Sequence, residues 1–251
     1  MMVEQYDNTA FDGDETLGAP ERRQQIYERG TWLLHIVLVT LAIMTGLATC
    51  LGLGWSSRIF DDGACLLYTN MHLTLSTNGS RDMVYLDNDL SQYGSPALCN
   101  FCTYVNATLV TYSALWLWMY IMLHKFARKS RTGPNVRLLP VALLFNVVLW
   151  VCTTVSLGFV NAGTSTWCSN VETAIGKPCS YLAKVEWLSI PDGHLIYHYS
   201  QIALVSSWLL FVVLSVNTVV MIVVLVLDIR HCPPDNDQKT HLSSIALAPT
   251  T

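Results

Sequence analysis

The chain has 251 residues, of which 52% are hydrophobic and only 13% charged, and its net charge is −4. A soluble domain needs about 25% charged residues to cover its surface, so this composition, with its positive mean hydropathy, excludes an ordinary water-soluble fold. The basic residues form no run with interleaved aromatics, which sets nucleic-acid binding aside.

A helix needs roughly 20 apolar residues to cross the hydrocarbon core. Four blocks meet that length, at about residues 31–54, 102–124, 138–160 and 199–228. Backbone groups left unpaired in lipid are costly, so each block is predicted to be a helix. The fold class is therefore an all-α four-helix transmembrane bundle. The first block follows an acidic leader and is too long for a cleavable signal, so it reads as a retained signal anchor. Residues 1–30 and 229–251 are polar and read as disordered cytosolic segments flanking a bundle at 31–228.

Lysine and arginine set the orientation. Arg22, Arg23 and Arg29 precede the first block; Lys125, Arg128, Lys129, Arg131 and Arg137 lie between the second and third; Arg230 follows the fourth. The other two loops, 55–101 and 161–198, hold only Arg58, Arg81, Lys177 and Lys184. Both termini are predicted to be cytosolic and these two loops to face outward. Trp55 and Trp167 fall near the outer ends of their blocks, where indole rings favour the lipid–water interface.

The first outer loop carries a period of two: Leu67, Thr69, Met71, Leu73 and Leu75 on one face, Leu66, Tyr68, Asn70, His72 and Thr74 on the other. Asn78-Gly79 follows, a strong hairpin signal, and then a short strand Met83–Leu86. A β-hairpin cap over the outer mouth of the bundle is predicted. A lone hairpin is marginal in water, so it must pack on the second outer loop or on a partner. Asn78-Gly79-Ser80 is a glycosylation sequon at the hairpin tip; Asn106-Ala107-Thr108 has the same form but lies within a span and is expected to stay unmodified.

Cys65, Cys99, Cys102, Cys168 and Cys179 fall outside or at the outer edge, where an oxidising compartment pairs thiols. Pairing Cys65 with Cys99 closes the hairpin loop, and Cys168 with Cys179 closes the second loop's tip; the spacing leaves cross-loop pairing open. Cys102 is then the odd thiol. Cys99 and Cys102 have CxxC spacing, but no thioredoxin-like βαβ pattern surrounds them, so a redox or metal role is not favoured. Cys50 and Cys152 lie in spans and read as small packing residues.

His194 and His198, with Asp192 just before them, have a metal-like spacing, yet a wet helix start with Asp192 as its cap is preferred. His35, Asn146 and Asn217 are polar groups within spans, read as interhelical hydrogen-bonding residues rather than an ion path, since no acidic or further basic group accompanies them. Ala42, Gly46, Thr49 and Gly52 give small-residue spacings on the first span that permit close helix approach. Cys232 sits just past the fourth span in a position that suits palmitoylation or a plain thiol. No phosphate loop, nucleophile elbow, zinc motif or paired carboxylates appear; no enzyme activity, cofactor or metal is expected.

Several patches in order resemble the transmembrane protein 179 family: Gly63-Ala64-Cys65-Leu66-Leu67-Tyr68-Thr69, Ala97-Leu98-Cys99-Asn100-Phe101, Gly158-Phe159 with Thr166-Trp167-Cys168, Lys177-Pro178-Cys179, and Gln201-Ile202-Ala203 with Ser206-Ser207-Trp208-Leu209. They cover about residues 60–215. The resemblance implies four spans and the four cysteines Cys65, Cys99, Cys168 and Cys179; Cys102 and the acidic leader depart from the pattern. The arrangement is similar to that of claudins and stargazin-like receptor subunits, although the claudin Trp-Gly-Leu-Trp signature is missing. The function expected is an accessory subunit of a receptor or ion channel at the plasma membrane, in contact with lipid. The alternative is a tetraspan adhesion or scaffold protein that self-assembles.

Overall fold

A computed structural model describes residues 19–59, 64–78, 81–130, 139–190 and 192–231. The elements in order are α1 (Ala19–Arg58), β1 (Cys65–Asn78), β2 (Arg81–Gly94), α2 (Pro96–Ser130), α3 (Leu139–Ile175), a 3-10 turn (Cys179–Ala183), β3 (Glu186–Trp187) and α4 (Leu195–His231). The chain divides into two compact units, Met1–Val37 and Leu38–Thr251. In the first, the described residues are helical from Ala19, ahead of the Thr31 start read from hydropathy; Leu33, Leu34 and Val37 are exposed and His35 is buried. The second holds the rest of α1, the sheet and the other helices.

Among the described residues four helices are long and apolar enough to cross a membrane: Gly30–Arg58, Pro96–Met122, Pro140–Ile175 and Leu195–Leu227. All four reach further toward the sheet than the apolar blocks do, α2 and α3 the most. α2 begins at Pro96, not Cys102, because Ser95-Pro96 is itself a helix start: proline at the first helical position loses no hydrogen bond and has its φ preset. The Leu98 N–H donates to the Ser95 carbonyl at 3.0 Å there. α3 continues to Ile175, so residues 161–175 of what reads as a second outer loop are helix. Its polar run Thr164–Glu172 lowers hydropathy without breaking the helix. It stops at Gly176, whose φ of +67° is the left-handed cap only glycine adopts freely and whose N–H reaches the Glu172 carbonyl at 2.9 Å.

Among the described residues the sheet has three strands in the order β1-β2-β3. β1 and β2 pair antiparallel from Asn78↔Arg81 back to Cys65↔Gly94, with irregularities between Cys65 and His72. The second strand is thus longer than the Met83–Leu86 segment read from sequence, since Asp87–Gly94 continue the ladder past its apolar part. β3 joins β2 in parallel, Met83↔Glu186 and Val84↔Trp187.

The alternation along β1 is seen in burial: Leu67, Thr69, Met71 and Leu73 are buried, Tyr68, Asn70, His72 and Thr74 exposed. Leu66 is also buried, against the period. Tyr68 at φ 63° breaks the strand's regular pleat within the irregular stretch between Cys65 and Asn70, where Leu66 and Leu67 are both buried. At the same place Gly94 crosses the Leu67 carbonyl so closely that an added Cβ would overlap it, which fixes glycine at the end of β2.

The core beneath the sheet contains Leu66, Met71, Leu73, Val84, Leu86, Trp167, Val171, Leu182 and Ile196. Trp167 is fully buried at its centre. It is therefore a packing residue of the cap and not an interface anchor: α3 carries it past the 138–160 block, and the hairpin lies over it. Trp55 does stay half exposed, stacked with Tyr199 at 6.0 Å between ring centres.

Candidate functional site

Three features have the geometry to act: the cap, the polar seam inside the bundle, and the exposed stripe of α2, which is one of several exposed apolar faces on the described helices. Cys65 is bonded to Cys99 (Cα–Cα 5.7 Å) and Cys168 to Cys179 (5.2 Å), each within its own loop. The first bond ties the start of β1 to the first turn of α2. The second ties α3 to the 3-10 turn. Cys102 is a fully buried free thiol, 3.9 Å from the Ser156 carbonyl, and Cys50 and Cys152 are also free.

Further bonds hold the cap onto α3 and across its own strands. The Trp167 indole donates to the Met71 sulfur at 3.4 Å, and the Asn170 amide donates to the Thr69 carbonyl at 3.1 Å. The Tyr181 hydroxyl donates to the Asp82 carboxylate. Lys177 stands 3.5 Å from that carboxylate, donates to the Tyr181 hydroxyl at 3.4 Å, and sits 4.4 Å above the Tyr181 ring centre. Tyr181 first, and Lys177 after it, hold the Asp82 carboxyl below the ordinary carboxylate range. The same phenol and carboxylate raise Lys177. This triad joins β2 to the segment after α3, and nothing in the spacing of its members along the chain reveals it.

Inside the bundle, polar side chains link the helices. Thr49 of α1 bonds Ser206 of α4 at 2.9 Å. Asn217 donates to Asn146 at 3.1 Å, Asn146 donates to Thr218 at 2.7 Å, and the Trp150 indole donates to Ser215 at 2.9 Å, all between α3 and α4. The Tyr112 hydroxyl donates to the Ala142 carbonyl at 3.3 Å across α2 and α3. Beside the asparagines lies a cavity of about 10 Å³ lined by Ala42, Tyr112, Ser113, Asn146 and Asn217, close to the smallest volume that holds one water.

The small residues of α1 face neighbours within the bundle. A Cβ on Gly46 would come within 2.8 Å of the Val110 side chain, and one on Gly52 within 3.0 Å of Ala203 and the Tyr199 carbonyl. Ala42 and Thr49 are buried on the same side.

Asn78 is the last residue of β1, opposite Arg81; Gly79 and Ser80, like Cys232 and residues 1–18 and 232–251, lie outside the described residues, whereas 19–30 and 229–231, read from sequence as disordered, are helical. Asn106 is buried, its amide donating to the Cys102 carbonyl at 2.7 Å. His194 and His198 are exposed at the start of α4, and the cap there is the Asp192 backbone carbonyl, which accepts from the Leu195 N–H at 2.9 Å. Among the described residues no group of three His, Cys, Asp or Glu side chains is placed to hold a metal ion.

One feature escaped the sequence reading although its period was there to see. On α2, Tyr104, Thr108, Thr111, Leu115, Trp118 and Met122 recur at alternating steps of four and three, and all are exposed. That spacing makes one continuous stripe along the helix.

The family described as the transmembrane protein 179/179B claudin domain matches residues 31–240. The four spans and the β-sheet cap are those of a tetraspan, claudin-like integral membrane protein, and the chain belongs to this family. No curated protein and no solved structure matches it.

Proposed function

We propose that the chain is a non-enzymatic auxiliary subunit of a multi-pass receptor or ion channel in the plasma membrane, with its termini in the cytosol and its cap outside. The stripe on α2 carries this reading. It runs from Tyr104 to Met122, sets Thr108 and Thr111 between Tyr104 on one side and Leu115 and Trp118 on the other, and is exposed along its length among the described residues. Small residues let a neighbouring helix approach, and aromatic side chains on either side give it area to pack on. The cap then stands beside whatever domain the partner exposes.

The test is purification from native membrane in mild detergent. A multi-pass receptor or channel should co-purify in fixed proportion, and the double substitution Tyr104→Ala with Trp118→Ala should release it while the disulfide-bonded cap stays intact. Recovery of the chain with no such partner, or a complex indifferent to the double substitution, refutes the reading.

A further inference from the structure

We propose that the free edge of β1 pairs antiparallel with the β1 edge of a second copy of this chain. β1 is an outermost strand of the sheet. Which of its backbone groups face outward follows from two bonds on the other side of β2. The Leu188 N–H donates to the Val84 carbonyl at 3.1 Å, and the Leu86 N–H donates to Ser189 Oγ at 3.1 Å, so Val84 and Leu86 face β3. Within a strand successive residues point to opposite edges, so Met83, Tyr85 and Asp87 face β1. Their partners Ser76, Thr74 and His72 face back toward them. Met71, Leu73, Leu75 and Thr77 therefore point their N–H and C=O groups at the open edge. Thr69 has the same parity, and its carbonyl is taken by Asn170 of α3. Beyond it, no hydrogen bond among the described residues covers the edge.

Natural sheets guard such an edge with lysine, proline or inward charge. β1 has none of these: from Cys65 to Asn78 it contains no Lys, Arg, Asp, Glu or Pro. Its neighbour β2 carries Arg81, Asp82, Asp87 and Asp89. A charged strand meets itself with like charges opposed, whereas β1 meets itself with none. The open positions 71, 73, 75 and 77 are symmetric about Thr74, so a two-fold axis there brings Thr74 beside its own copy and sets His72 near Ser76 on the exposed face. Threonine pairs are among the favourable cross-strand neighbours, and a self-complementary patch is what a two-fold interface requires. The anchor is rigid, because β1 is bonded to α2 through Cys65–Cys99 and lies on α3 through Met71 and Trp167. This pairing leaves the α2 stripe open and does not depend on the auxiliary-subunit reading.

The experiment uses the full chain in detergent and in bilayer discs. Oxidation should trap Thr74→Cys as a covalent dimer, and should not trap Tyr85→Cys, which sits beside it on the same exposed face but one strand inward. Trapping at both positions alike, or at neither, overturns the proposal. A charge pair guards against misfolding as an explanation: Thr74→Lys alone should weaken the dimer by about two- to fivefold, and mixing it with Thr74→Glu should restore it. Failure of the mixed pair to recover overturns the two-fold pairing, and a Thr74→Cys adduct with a different protein overturns the second copy as the occupant.

Discussion

The indole N–H of Trp167 reaches the sulfur of Met71 at 3.4 Å, and this contact joins a membrane helix to the strand that covers it. Both residues are buried, Trp167 completely. A cap of one long hairpin and a two-residue third strand has little core of its own, so its stability is borrowed from the end of α3. Trp167→Ala removes the largest side chain at that junction and should cost about 3–5 kcal/mol, enough to detach the cap. Trp167→Phe keeps most of the volume and loses only the N–H donor, so it should be much milder. Hydrogen exchange over β1 and β2 checks this: protection should fall in Trp167→Ala while the spans remain protected. Unchanged strand protection in that variant refutes the dependence.

The two disulfides brace the same junction. Each should contribute roughly 2–4 kcal/mol by limiting the unfolded loop, and the two cysteines of one bond should act as a unit. Cys65→Ser, Cys99→Ser and the double variant should therefore be about equally destabilised, as should Cys168→Ser, Cys179→Ser and theirs. Cys102→Ser should change less, because that thiol makes only a weak contact with the Ser156 carbonyl. Non-reducing peptide mapping reads the bonds directly. A fragment joining Cys65 or Cys99 to Cys168 or Cys179 would show the two loops tied to each other and would overturn this assignment.

The parts of the fold that were legible in the sequence are those with a strict period. Hydropathy marks four spans because lipid demands long apolar runs, and the alternation from Leu67 to Leu75 marks the buried face of β1. What was hidden lies where period and environment separate. Thr164–Glu172 reads as loop because it is polar, yet it is helix, since a helix packed under the cap needs only one apolar stripe against it. Trp167 reads as an interface anchor for the same reason. The left-handed Tyr68 has no glycine or asparagine to announce it, and β3 is two residues long, too short for any period to show. Lys177, Tyr181 and Asp82 meet only through tertiary packing.

That last group gives the cap a defined pH response. The Asp82 carboxyl is depressed in the folded protein, so its contribution is full above the unfolded value near pH 4 and is lost as pH falls through the lower folded value. Lys177 is raised, so its contribution is full below its unfolded value near pH 10 and is lost as pH rises above the folded one. Between these limits the response should be flat. Protease nicking between Gly176 and Ile190, followed against pH, should show a loosening below about pH 4 that Asp82→Asn abolishes by loosening the segment at every pH. A wild-type transition near neutrality would assign the control to some other group.

Within the bundle, the Asn146–Asn217 hydrogen bond connects α3 and α4 beside the small cavity. Hydrogen bonds between membrane helices average only about 0.6 kcal/mol in coupling, because the unfolded helices find other partners in the membrane. A double-mutant cycle with Asn146→Leu and Asn217→Leu should give a coupling of about that size, up to roughly 1.7 kcal/mol. The seam thus contributes register more than stability. Steric trapping or denaturant unfolding in detergent measures the cycle. A coupling near zero would mean the two asparagines only happen to be neighbours.

The remaining prediction concerns which side of the membrane the cap occupies. β1 ends at Asn78 and β2 starts at its register partner Arg81, so the sequon Asn78-Gly79-Ser80 spans the connection between the strands, as far along the hairpin from the Cys65–Cys99 bond as the chain allows. The orientation proposed from the lysine and arginine bias would put that tip outside, where glycosylation acts. Asn106 has the same triplet but is buried among helices with its amide already bonded to the Cys102 carbonyl. Asn78→Gln should therefore abolish a glycosidase-sensitive shift in mobility, and Asn106→Gln should leave it in place. Tags at either terminus should bind antibody only after cells are permeabilised, while a tag at Gly79 should be reached on intact cells. The two measurements are independent, because a cap facing outward remains accessible even if the sequon is never used. A terminal tag detected on intact cells would reverse the orientation, and it would then put the free edge of β1, and any partner it meets, on the cytosolic side.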